Sequence, residues 1–582
     1  MSPSTPIAPG VYVKEVPSGT RSITSVGTSI AAFLGFAPTG PLEPTRVKNW
    51  REYTGLYRPI PAVFNHENRP EQVVGLVTSD KGVTGDLYLV GKDIQAYKCN
   101  FDTGELDGGS PATGVVRNVF TGLDQIDSAG KRSGATANLF TSGSTFCGTG
   151  IALIKGVLTG IPAAYEQDWD ACSIYAGKYY IFKGSEYIIT DSAGTPVGAA
   201  ERIAEGFPGL PSYFYRDLDG VAVHEGVMYF FKGGETAATV PEAAFLETAL
   251  SGYFANGGGP CYIARIPTTQ PNGTTALTKA QMLDCFKGTS ALYEGVGLAG
   301  LERVEEVTMV AAPGLWGVPG VTLEDGQLVQ QTVVSHCAGA GNRVAVLDPP
   351  PKLQPDGVKA YTEGLGLPEE DKPFGTLYYP WLQTAGGGSG GVGRVAPPSG
   401  CVTGVWCRTD ARRGVHKAPA NETVAGVSGV EWALTDEEQG PLNTIGVNCI
   451  RGFPGQGVRV WGARTLAALV STEWKYVNVR RLCSFIQESV RTGTRWAVFE
   501  PNDERLRAAI RSNTATFLRD QWRAGALAGK TPDEAFFVVC DATNNPPESI
   551  AQGKLICDIG IAPTRPAEFI TLRISQIVKT AT

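Results

Sequence analysis

The stretch AAFLETALSGYFANGGGPCYIARI, residues 243–266, contains a helix, a helix stop and a strand in succession, and it decides the fold class. Its first twelve residues have the apolar spacing of an amphipathic helix, and the glycines after Asn256 commonly follow a helix end. Its last six residues form a short apolar run, which predicts a strand. The apolar runs 307–312 and 344–347 follow, with helical segments between them. This alternation predicts an α/β pattern.

The composition is that of a protein buried in an assembly. The chain has 582 residues, which is too long for one hydrophobic core, so we expect several domains. Only 18% of the residues are charged, and surfaces that become subunit interfaces are depleted of charge. The net charge of −7 provides no basic field, so we expect no nucleic-acid partner.

The start of the chain and the cysteines predict folding in the cytoplasm. The first ten residues, MSPSTPIAPG, lack the basic and apolar regions of a secretory signal. No apolar stretch approaches the ~20 residues that span a bilayer, so we expect no membrane insertion. The 12 cysteines are scattered without a CxxC pair, which indicates reduced, mostly buried thiols rather than disulfides or a zinc site.

Both ends of the chain have strand patterns. Residues 10–16, GVYVKEV, alternate with a period of two and stop at Pro17, and residues 568–578 alternate in the same way. A further strand is expected at 554–562. Residues 502–527 predict a long helix, with Asn502 as its N-cap.

An internal repeat lies in the first half of the chain. The segments 168–184, DWDACSIYAGKYYIFKG, and 217–233, DLDGVAVHEGVMYFFKG, align without a gap at an offset of 49 residues. Fainter copies lie at 86–91 and 123–140. Short strands repeated at this period predict propeller blades, and four blades would fill residues 66–237. A simple duplicated pair of hairpins is the alternative.

The repeats resemble hemopexin-like repeats, whose blades read Asp-Ala-Ala, a hairpin and Tyr-Phe-Phe-Lys-Gly. The resemblance implies that Asp127, Asp170 and Asp219, which start successive blades, line a propeller channel. In that family a cation can sit in the channel, held largely by main-chain carbonyls. The alternative is that the three aspartates are turn or strand-start residues. Apart from this cation, we expect no cofactor and no metal.

Ordered motifs in the rest of the chain resemble the contractile tail sheath family of phage tails, R-type bacteriocins and extracellular contractile injection systems. The match covers roughly residues 1–65 and 238–582, whereas a minimal sheath subunit lacks the insert at 66–237. The motifs are PGVYV at 9–13, YYPW at 378–381, PPSG at 397–400, RTD at 408–410, GVHKAPAN at 414–421, VWGART at 460–465, YVNVRRL at 476–482 and FEPND at 499–503.

The resemblance implies an α+β, α/β-like multidomain sheath core with an inserted all-β, four-bladed hemopexin-like propeller. The expected parts are an N-terminal linking arm at 1–20, a sheath core domain at 21–65 and 430–565, the propeller at 66–237, a middle α/β domain at 238–429, and a C-terminal linking arm at 566–582.

The resemblance also implies a structural subunit that forms hexameric rings, stacked helically around an inner tube protein and bounded by baseplate and cap proteins. Contraction would drive the tube through a target envelope, in a phage tail or tail-like particle assembled in the bacterial cytoplasm. Strands at both ends would complete sheets in neighbouring subunits, because an unpaired strand is an aggregation liability. Alternatively, they close the sheet of their own subunit. The intersubunit strand residues are Val11, Tyr12, Val13, Phe569, Ile570, Leu572 and Ile574.

Five arginines lie on the predicted helix 502–527: Arg505, Arg507, Arg511, Arg519 and Arg523. We expect Arg505, Arg519 and Arg523 to face the inner tube, since a charged contact re-forms more easily than an apolar one while surfaces slide. The alternative is a solvated helix face.

No arrangement of residues predicts catalysis, so we expect no enzyme. The glycines at 339–341 and 452–457 lack the Gly-Lys-Ser/Thr of a phosphate loop and read as turns. The four histidines are far apart in sequence. The alternative function is a scaffold whose propeller binds a glycan or envelope ligand.

Overall fold

The computed structural model describes residues 23–57, 72–78, 87–91, 96–99, 128–131, 138–142, 145–147, 151–153, 161–175, 178–191, 194–207, 210, 212–224, 227–239, 241–271, 275–384 and 394–569. The strands in these ranges are β1 Ala31–Phe36, β2 Thr45–Val47, β3 Val73–Thr78, β4 Leu87–Gly91, β5 Ala96–Cys99, β6 Ser128–Lys131, β7 Asn138–Ser142, β8 Thr145–Cys147, β9 Ile151–Leu153, β10 Ala171–Tyr175, β11 Lys178–Lys183, β12 Glu186–Thr190, β13 Glu201–Arg202, β14 Gly220–His224, β15 Val227–Lys232, β16 Glu235–Thr239, β17 Cys261–Ile266, β18 Met309–Ala311, β19 Val344–Leu347, β20 Gly375–Tyr379, β21 Leu382–Thr384, β22 Arg394–Ala396, β23 Glu422–Thr423, β24 Val427–Val430, β25 Val447–Phe453, β26 Gly457–Val460, β27 Phe536–Val539 and β28 Asp558–Ile561.

The α-helices in the same ranges are α1 Trp50–Tyr57, α2 Ile203–Gly206, α3 Ala244–Ala255, α4 Lys279–Lys287, α5 Leu298–Leu301, α6 Leu323–Ala340, α7 Pro355–Glu363, α8 Pro398–Arg413, α9 Asp436–Thr444, α10 Val477–Gly493, α11 Glu504–Arg523, α12 Pro532–Ala535 and α13 Pro547–Ala551.

The largest sheet has nine strands in the order β2-β17-β1-β18-β19-β20-β25-β26-β23. The six strands from β17 to β25 are parallel, and the pairs at both edges are antiparallel. Parallel strands covered on both faces are apolar throughout, and every residue of β1 and β19 is buried. The apolar runs that predicted strands therefore form the centre of this sheet.

Helices cover both faces of the nine-stranded sheet. Phe33 of β1 packs against Tyr253 of α3, with ring centroids 5.0 Å apart. Phe36, three residues further along β1, packs against Phe286 of α4 at 5.6 Å. Odd and even residues of a strand point to opposite faces, so α3 and α4 lie on opposite sides. Two apolar clusters result, one on each face of the sheet.

The 49-residue repeat appears as two equivalent three-stranded units, β10-β11-β12 and β14-β15-β16. Each strand of the first unit has a counterpart of the same length 49 residues later. The fainter copies fall in β3–β5 and β6–β9, which join into one seven-stranded sheet. The fold is thus mixed α+β with sheets of several sizes, and no closed propeller is seen among the described strands.

The described residues form two compact units. One contains the described residues of 28–413 and 418–477, and the other contains 23–27, 414–417 and 478–569. The expected core domain, at 21–65 and 430–565, is not separate from the expected middle domain at 238–429. The reason is main-chain pairing: β1 lies between β17 and β18, and β25 pairs with β20.

Candidate intersubunit surface

The smaller unit contains a two-stranded antiparallel sheet formed by β27 and β28. The Ala562 N–H donates to the Ala535 carbonyl at 2.8 Å, which makes these two residues a hydrogen-bonded pair just beyond the ends of both strands. Pairs alternate along an antiparallel ladder between hydrogen-bonded and non-hydrogen-bonded. The registered pairs Phe537–Gly560 and Val539–Asp558 are therefore hydrogen-bonded as well.

The intervening residues direct their backbone groups away from the ladder. These residues are Phe536 and Val538 on β27, and Ile559 and Ile561 on β28. Among the described residues, no further strand pairs with the outer edge of β27 or β28. Outward N–H and C=O groups of this kind are the ones on which another strand can add.

The two faces of this sheet differ. Phe536 and Val538 pack with Phe517 and Leu518 of α11 in one apolar cluster. On the other face, Phe537 is 58% exposed, and a side chain at Gly560, its pairing partner, would collide with its ring. One face is thus anchored to the helix, and the other presents an aromatic surface.

The expected arm residues are only partly described. Phe569 is exposed, at 75% of its surface, and it follows β28 by eight residues. Between them, the Thr564 N–H donates to the Ala526 carbonyl at 3.2 Å. The other six arm residues, Val11, Tyr12, Val13, Ile570, Leu572 and Ile574, lie outside the described residues.

The N-terminus of helix α11 is capped one residue later than expected. The Asp503 carboxylate accepts a hydrogen bond from the Leu506 N–H at 2.8 Å, so Asp503 is the N-cap. Asn502 instead donates from its side-chain amide to the Lys554 carbonyl at 2.9 Å. The FEPND motif thus contains the cap and a bond that holds the segment leading into β28.

The five arginines of helix α11 separate into two groups. Arg505, Arg519 and Arg523 are exposed, and they lie together with Ser512 and Thr516 on one stripe, at helical spacings of seven, four and three residues. Arg523 has Asp520 as a neighbour at 3.4 Å.

The other two arginines point inward and are structural. Arg507 is buried and contacts Asn502 and Glu504. Arg511 donates to the Cys540 carbonyl at 2.9 Å. The structure therefore separates the three candidates from the two neighbours that the sequence could not distinguish.

The channel candidates Asp170 and Asp219 occupy equivalent positions in the two repeats. Asp170 accepts a hydrogen bond from the Gly184 N–H at 2.5 Å, and Asp219 accepts one from the Gly233 N–H at 2.6 Å. Each carboxylate therefore fixes the turn between the second and third strands of its own unit. Asp127 lies outside the described residues.

The remaining sequence candidates form turns and core contacts. Residues 452–457 form the hairpin between β25 and β26, and Gly341 ends helix α6 in the left-handed conformation. His336 is hydrogen-bonded to Arg343, and burial, aided by this guanidinium, lowers the pKa of His336 to about 4. In the described part of the chain, no cluster of His, Cys, Asp or Glu could hold a metal ion. None of the helices there combines the length and hydropathy that crossing a bilayer requires.

Sequence patterns missed two features of this surface. Strand β27, FFVV at 536–539, was not predicted, although four consecutive aromatic and β-branched residues favour a strand. Val498 and Phe499, in the turn before α11, are exposed, and Phe499 has φ = 69°. The only sequence signal for this turn was the following Pro501.

Two family models match the chain. Residues 297–466 match the phage tail sheath protein central domain, and residues 470–577 match the phage tail sheath C-terminal domain. Among curated proteins, the tail sheath protein of Vibrio phage KVP40 is 29% identical over 182 residues, which are 31% of this chain and 26% of that protein. The chain thus matches only about a quarter of that relative's length.

Solved sheath structures match larger parts of the chain. The sheath complex of an extracellular contractile injection system (PVC) in the contracted state is 30% identical, over 58% of this chain and 81% of that chain, with a TM-score of 0.45. The helical sheath of the anti-feeding prophage, also contracted, covers 98% of this chain and 100% of that chain at 22% identity, with a TM-score of 0.51. This second likeness concerns the fold alone.

Proposed function

This chain belongs to the contractile tail sheath family, and on that premise we propose that it is the structural subunit of a contractile sheath. Copies assemble into hexameric rings that stack helically around an inner tube, with a baseplate at one end and a cap at the other. The extended sheath is metastable, and its contraction drives the tube through a target envelope. Assembly takes place in the bacterial cytoplasm, and the working particle is a phage tail or a tail-like injection device.

The observation that carries this proposal is the pair of open edges on the β27–β28 sheet. A strand from another subunit can add there by β-augmentation, which uses backbone hydrogen bonds that are independent of sequence. The N-terminal residues 10–16 and the C-terminal residues 568–578 have the alternation of such donor strands. At ~0.5–1.5 kcal/mol net per hydrogen bond, a strand making about five bonds contributes a few kcal/mol.

In this mechanism the contacts between rings have two arrangements, and the donated strands keep subunits connected while those contacts change. The chain on either side of a donated strand acts as the hinge, since hinges are short segments that absorb changes in φ and ψ. The exposed arginine stripe of α11, formed by Arg505, Arg519 and Arg523, faces the tube. Its charge and exposure suit a surface over which the tube must move.

The insert is a four-bladed propeller that decorates the outside of the sheath. In support, the first strands of its four groups, β3, β6, β10 and β14, all adjoin one another, as strands around a propeller axis do. A side chain at Gly220 on β14 would collide with the backbone of Val73 and Val74 on β3. Both neighbours along the chain, α1 and α3, belong to the sheath fold, so the insert leaves and returns at one surface. A cation held by carbonyls would occupy the centre.

The test of strand donation removes either the donor or the acceptor. Deleting residues 1–18 should abolish long sheaths in negative-stain micrographs of particles purified from the producing cell. The variant Val538→Pro removes an outward N–H of β27 without removing a ladder bond to β28, and it should have the same effect. Val538→Thr keeps the backbone donor and is the matched control.

The outcomes are separable. If the deletion variant forms normal sheaths that contract, then the N-terminal strand does not link subunits. If Val538→Pro and Val538→Thr fail equally, side-chain packing against α11 and not the edge is the cause. Hydrogen exchange of residues 558–561 shows in each case whether the sheet itself has formed.

A further inference from the structure

Two cysteines follow directly on the last registered pair of the β27–β28 ladder. Strand β27 ends at Val539 and β28 begins at Asp558, and these two residues are paired. One further step in the same register sets Cys540 opposite Cys557. The ladder alternation that follows from the Ala562-to-Ala535 hydrogen bond makes this a non-hydrogen-bonded pair. In such pairs the Cα atoms are about 4.5 Å apart and the side chains are closest.

Both thiols point to the same face of the sheet. Cys540 and Cys557 belong to one apolar cluster with Leu506 and Ile510 of helix α11. This is the face on which Phe536, four residues earlier on β27, also packs. Each thiol lies near enough to influence the pKa of the other, so the two side chains are neighbours within this cluster.

The segment beyond the cysteine pair is held in place on both sides. The Asn545 side chain donates to the carbonyls of Asp541 and Ile556 at 3.0 and 2.8 Å, and it accepts from the Ile556 N–H at 2.7 Å. The Arg511 guanidinium donates to the Cys540 carbonyl at 2.9 Å. Paired backbone therefore flanks the cysteines on both sides, and the ~4.5 Å expected between Cα atoms at such a position lies within the range of about 4.4–6.8 Å found for disulfides.

We propose that Cys540 and Cys557 are a disulfide-forming site, oxidised within one chain when the protein meets a low-molecular-weight disulfide outside a reducing compartment. Cys557, which is half-buried, reacts first: its thiolate attacks one sulfur of the reagent disulfide, displaces the other half as a thiol and forms a mixed disulfide. The Cys540 thiolate then attacks the Cys557 sulfur and releases the second thiol. Two protein thiols and one reagent disulfide give one protein disulfide and two reagent thiols, so atoms and electrons balance.

The reaction is slow at neutral pH, because thiolate is the reacting form and only a small fraction of each thiol is deprotonated there. Burial raises the pKa of Cys540, and burial together with the neighbouring Cys540 raises the pKa of Cys557 to about 12. Oxidation should therefore accelerate as the pH rises from 7 to 9. The product closes the loop 541–556 and adds a covalent connection to the sheet whose edges are the proposed acceptors. The inference stands on the ladder alone and does not depend on strand donation.

The test uses trypsin cleavage to place the two cysteines in different peptides. Lys554 separates the two cysteines, so Cys540 lies in peptide 531–554 and Cys557 in peptide 555–573, each with a single cysteine. Full-length protein is incubated with oxidised glutathione at pH 8.5, free thiols are alkylated, and the digest is analysed by mass spectrometry with and without reduction. We expect a cross-linked 531–554/555–573 species that reduction resolves.

Control experiments identify the two cysteines that react and show whether both belong to the same chain. Cys540→Ser and Cys557→Ser should each abolish the cross-link, and Cys483, the other half-buried cysteine of the described residues, should not enter one. A mixture of isotopically light and heavy protein should give light–light and heavy–heavy cross-links but no mixed species. The oxidised protein should also exchange amide hydrogens of residues 541–556 several-fold more slowly than the reduced protein.

Two results would overturn the proposal. One is Cys557 carrying glutathione while Cys540 is still fully alkylated after prolonged incubation. The other is a cross-link that is predominantly light–heavy, which would place the bond between subunits. Because all readouts are chemical, failure of sheath assembly in the tests above would leave this result unchanged.

Discussion

A single buried carboxyl connects the nine-stranded sheet to helix α8. Asp348 directly follows β19 and accepts hydrogen bonds from the backbone N–H and the hydroxyl of Ser399, at 2.7 and 2.6 Å. Ser399 is the second residue of α8, so the carboxyl satisfies a donor that a helix start leaves open. Burial dominates over these bonds and raises the pKa of Asp348 to about 7.

This shift makes stability depend on pH in a defined direction. The folded chain holds the Asp348 proton more tightly than the unfolded chain, whose carboxyl titrates near pH 4, so stability falls as the pH rises. The contribution is complete below about pH 4 and is lost through about pH 7, at no more than ~1.4 kcal/mol per pH unit. Asp348→Asn should remove this slope between pH 4.5 and 7.5 in thermal melts.

The same substitution at an exposed aspartate is the control for the effect of burial at Asp348. Asp533→Asn, in the first turn of α12, should retain the full pH slope of the unaltered protein. If the Asp348→Asn protein has the same slope as well, the buried carboxyl is not the group that titrates.

The repeat aspartates offer a second comparison between single residues. The bond from the Gly184 N–H to Asp170 is partly buried, whereas the bond from the Gly233 N–H to Asp219 is exposed. Because a hydrogen bond to a charged group is worth about 1.5–3 kcal/mol and solvent weakens it, Asp170→Ala should destabilise its unit more than Asp219→Ala. Urea unfolding followed by hydrogen exchange of 186–190 and 235–239 measures both. An equal or reversed order would contradict this account.

At the scale of an element, the exposed arginines of helix α11 lead to a prediction about contact with the tube. Charge reversal by Arg519→Glu and Arg523→Glu should impair co-assembly with the tube, because both side chains are exposed and reversal turns attraction into repulsion. Their exposure means that folding of the subunit should change by less than about 0.5 kcal/mol. Sedimentation of sheath with tube, compared with a thermal melt of the subunit, separates the two effects.

The matched control is Arg303→Glu, which reverses an equally exposed arginine in the larger unit, where the side chain is 70% exposed. It should co-assemble normally. Co-assembly of the double variant at the control's level would exclude α11 as the tube-facing element.

The elements also show how far sequence patterns reach. The strand 344–347, the strand 261–266 and the 49-residue repeat were predictable because burial on both faces, or a repeated hairpin, leaves a direct mark in the sequence. The long helix was predictable, but its cap was placed at Asn502, because Asn and Asp are both good caps and only geometry distinguishes them.

The sequence, in contrast, does not show which strands pair with one another in the sheets. Nothing local indicates that β1 lies between β17 and β18, which are more than 200 residues away, and the same holds for the pairing of β25 with β20. The proximity of Cys540 and Cys557 was not predicted for the same reason, because it follows only from the register of β27 and β28. The sheet edges proposed as acceptors could likewise not be predicted without β27, whereas the strand patterns of the two chain ends were readable from alternation alone.

At the scale of the whole molecule, the insert shares a hydrophobic core with the sheath fold, in addition to two smaller apolar clusters of its own. Phe182 and Phe230 of the repeats belong to the same apolar cluster as Phe36 and Phe286 beside the nine-stranded sheet. The Tyr175 hydroxyl also donates to the buried Glu242 carboxylate at 2.9 Å. A decoration on a flexible tether would share no core with the sheath fold and would unfold independently.

The insert should therefore lose its structure together with the sheet. We predict that, in native-state hydrogen exchange with increasing urea, residues 178–183 of the insert and 344–347 of the sheet open in one cooperative step, since a shared core makes one unit of unfolding. Residues 536–539 of the smaller unit, which pack in a separate cluster, provide the internal comparison. Opening of 178–183 at clearly lower urea than 344–347 would show that the insert is an autonomous domain, and replacing it with a short linker should then leave the sheath fold intact. If both segments open together, the same replacement should expose the apolar surface beneath β10 and β14 and yield aggregated subunits.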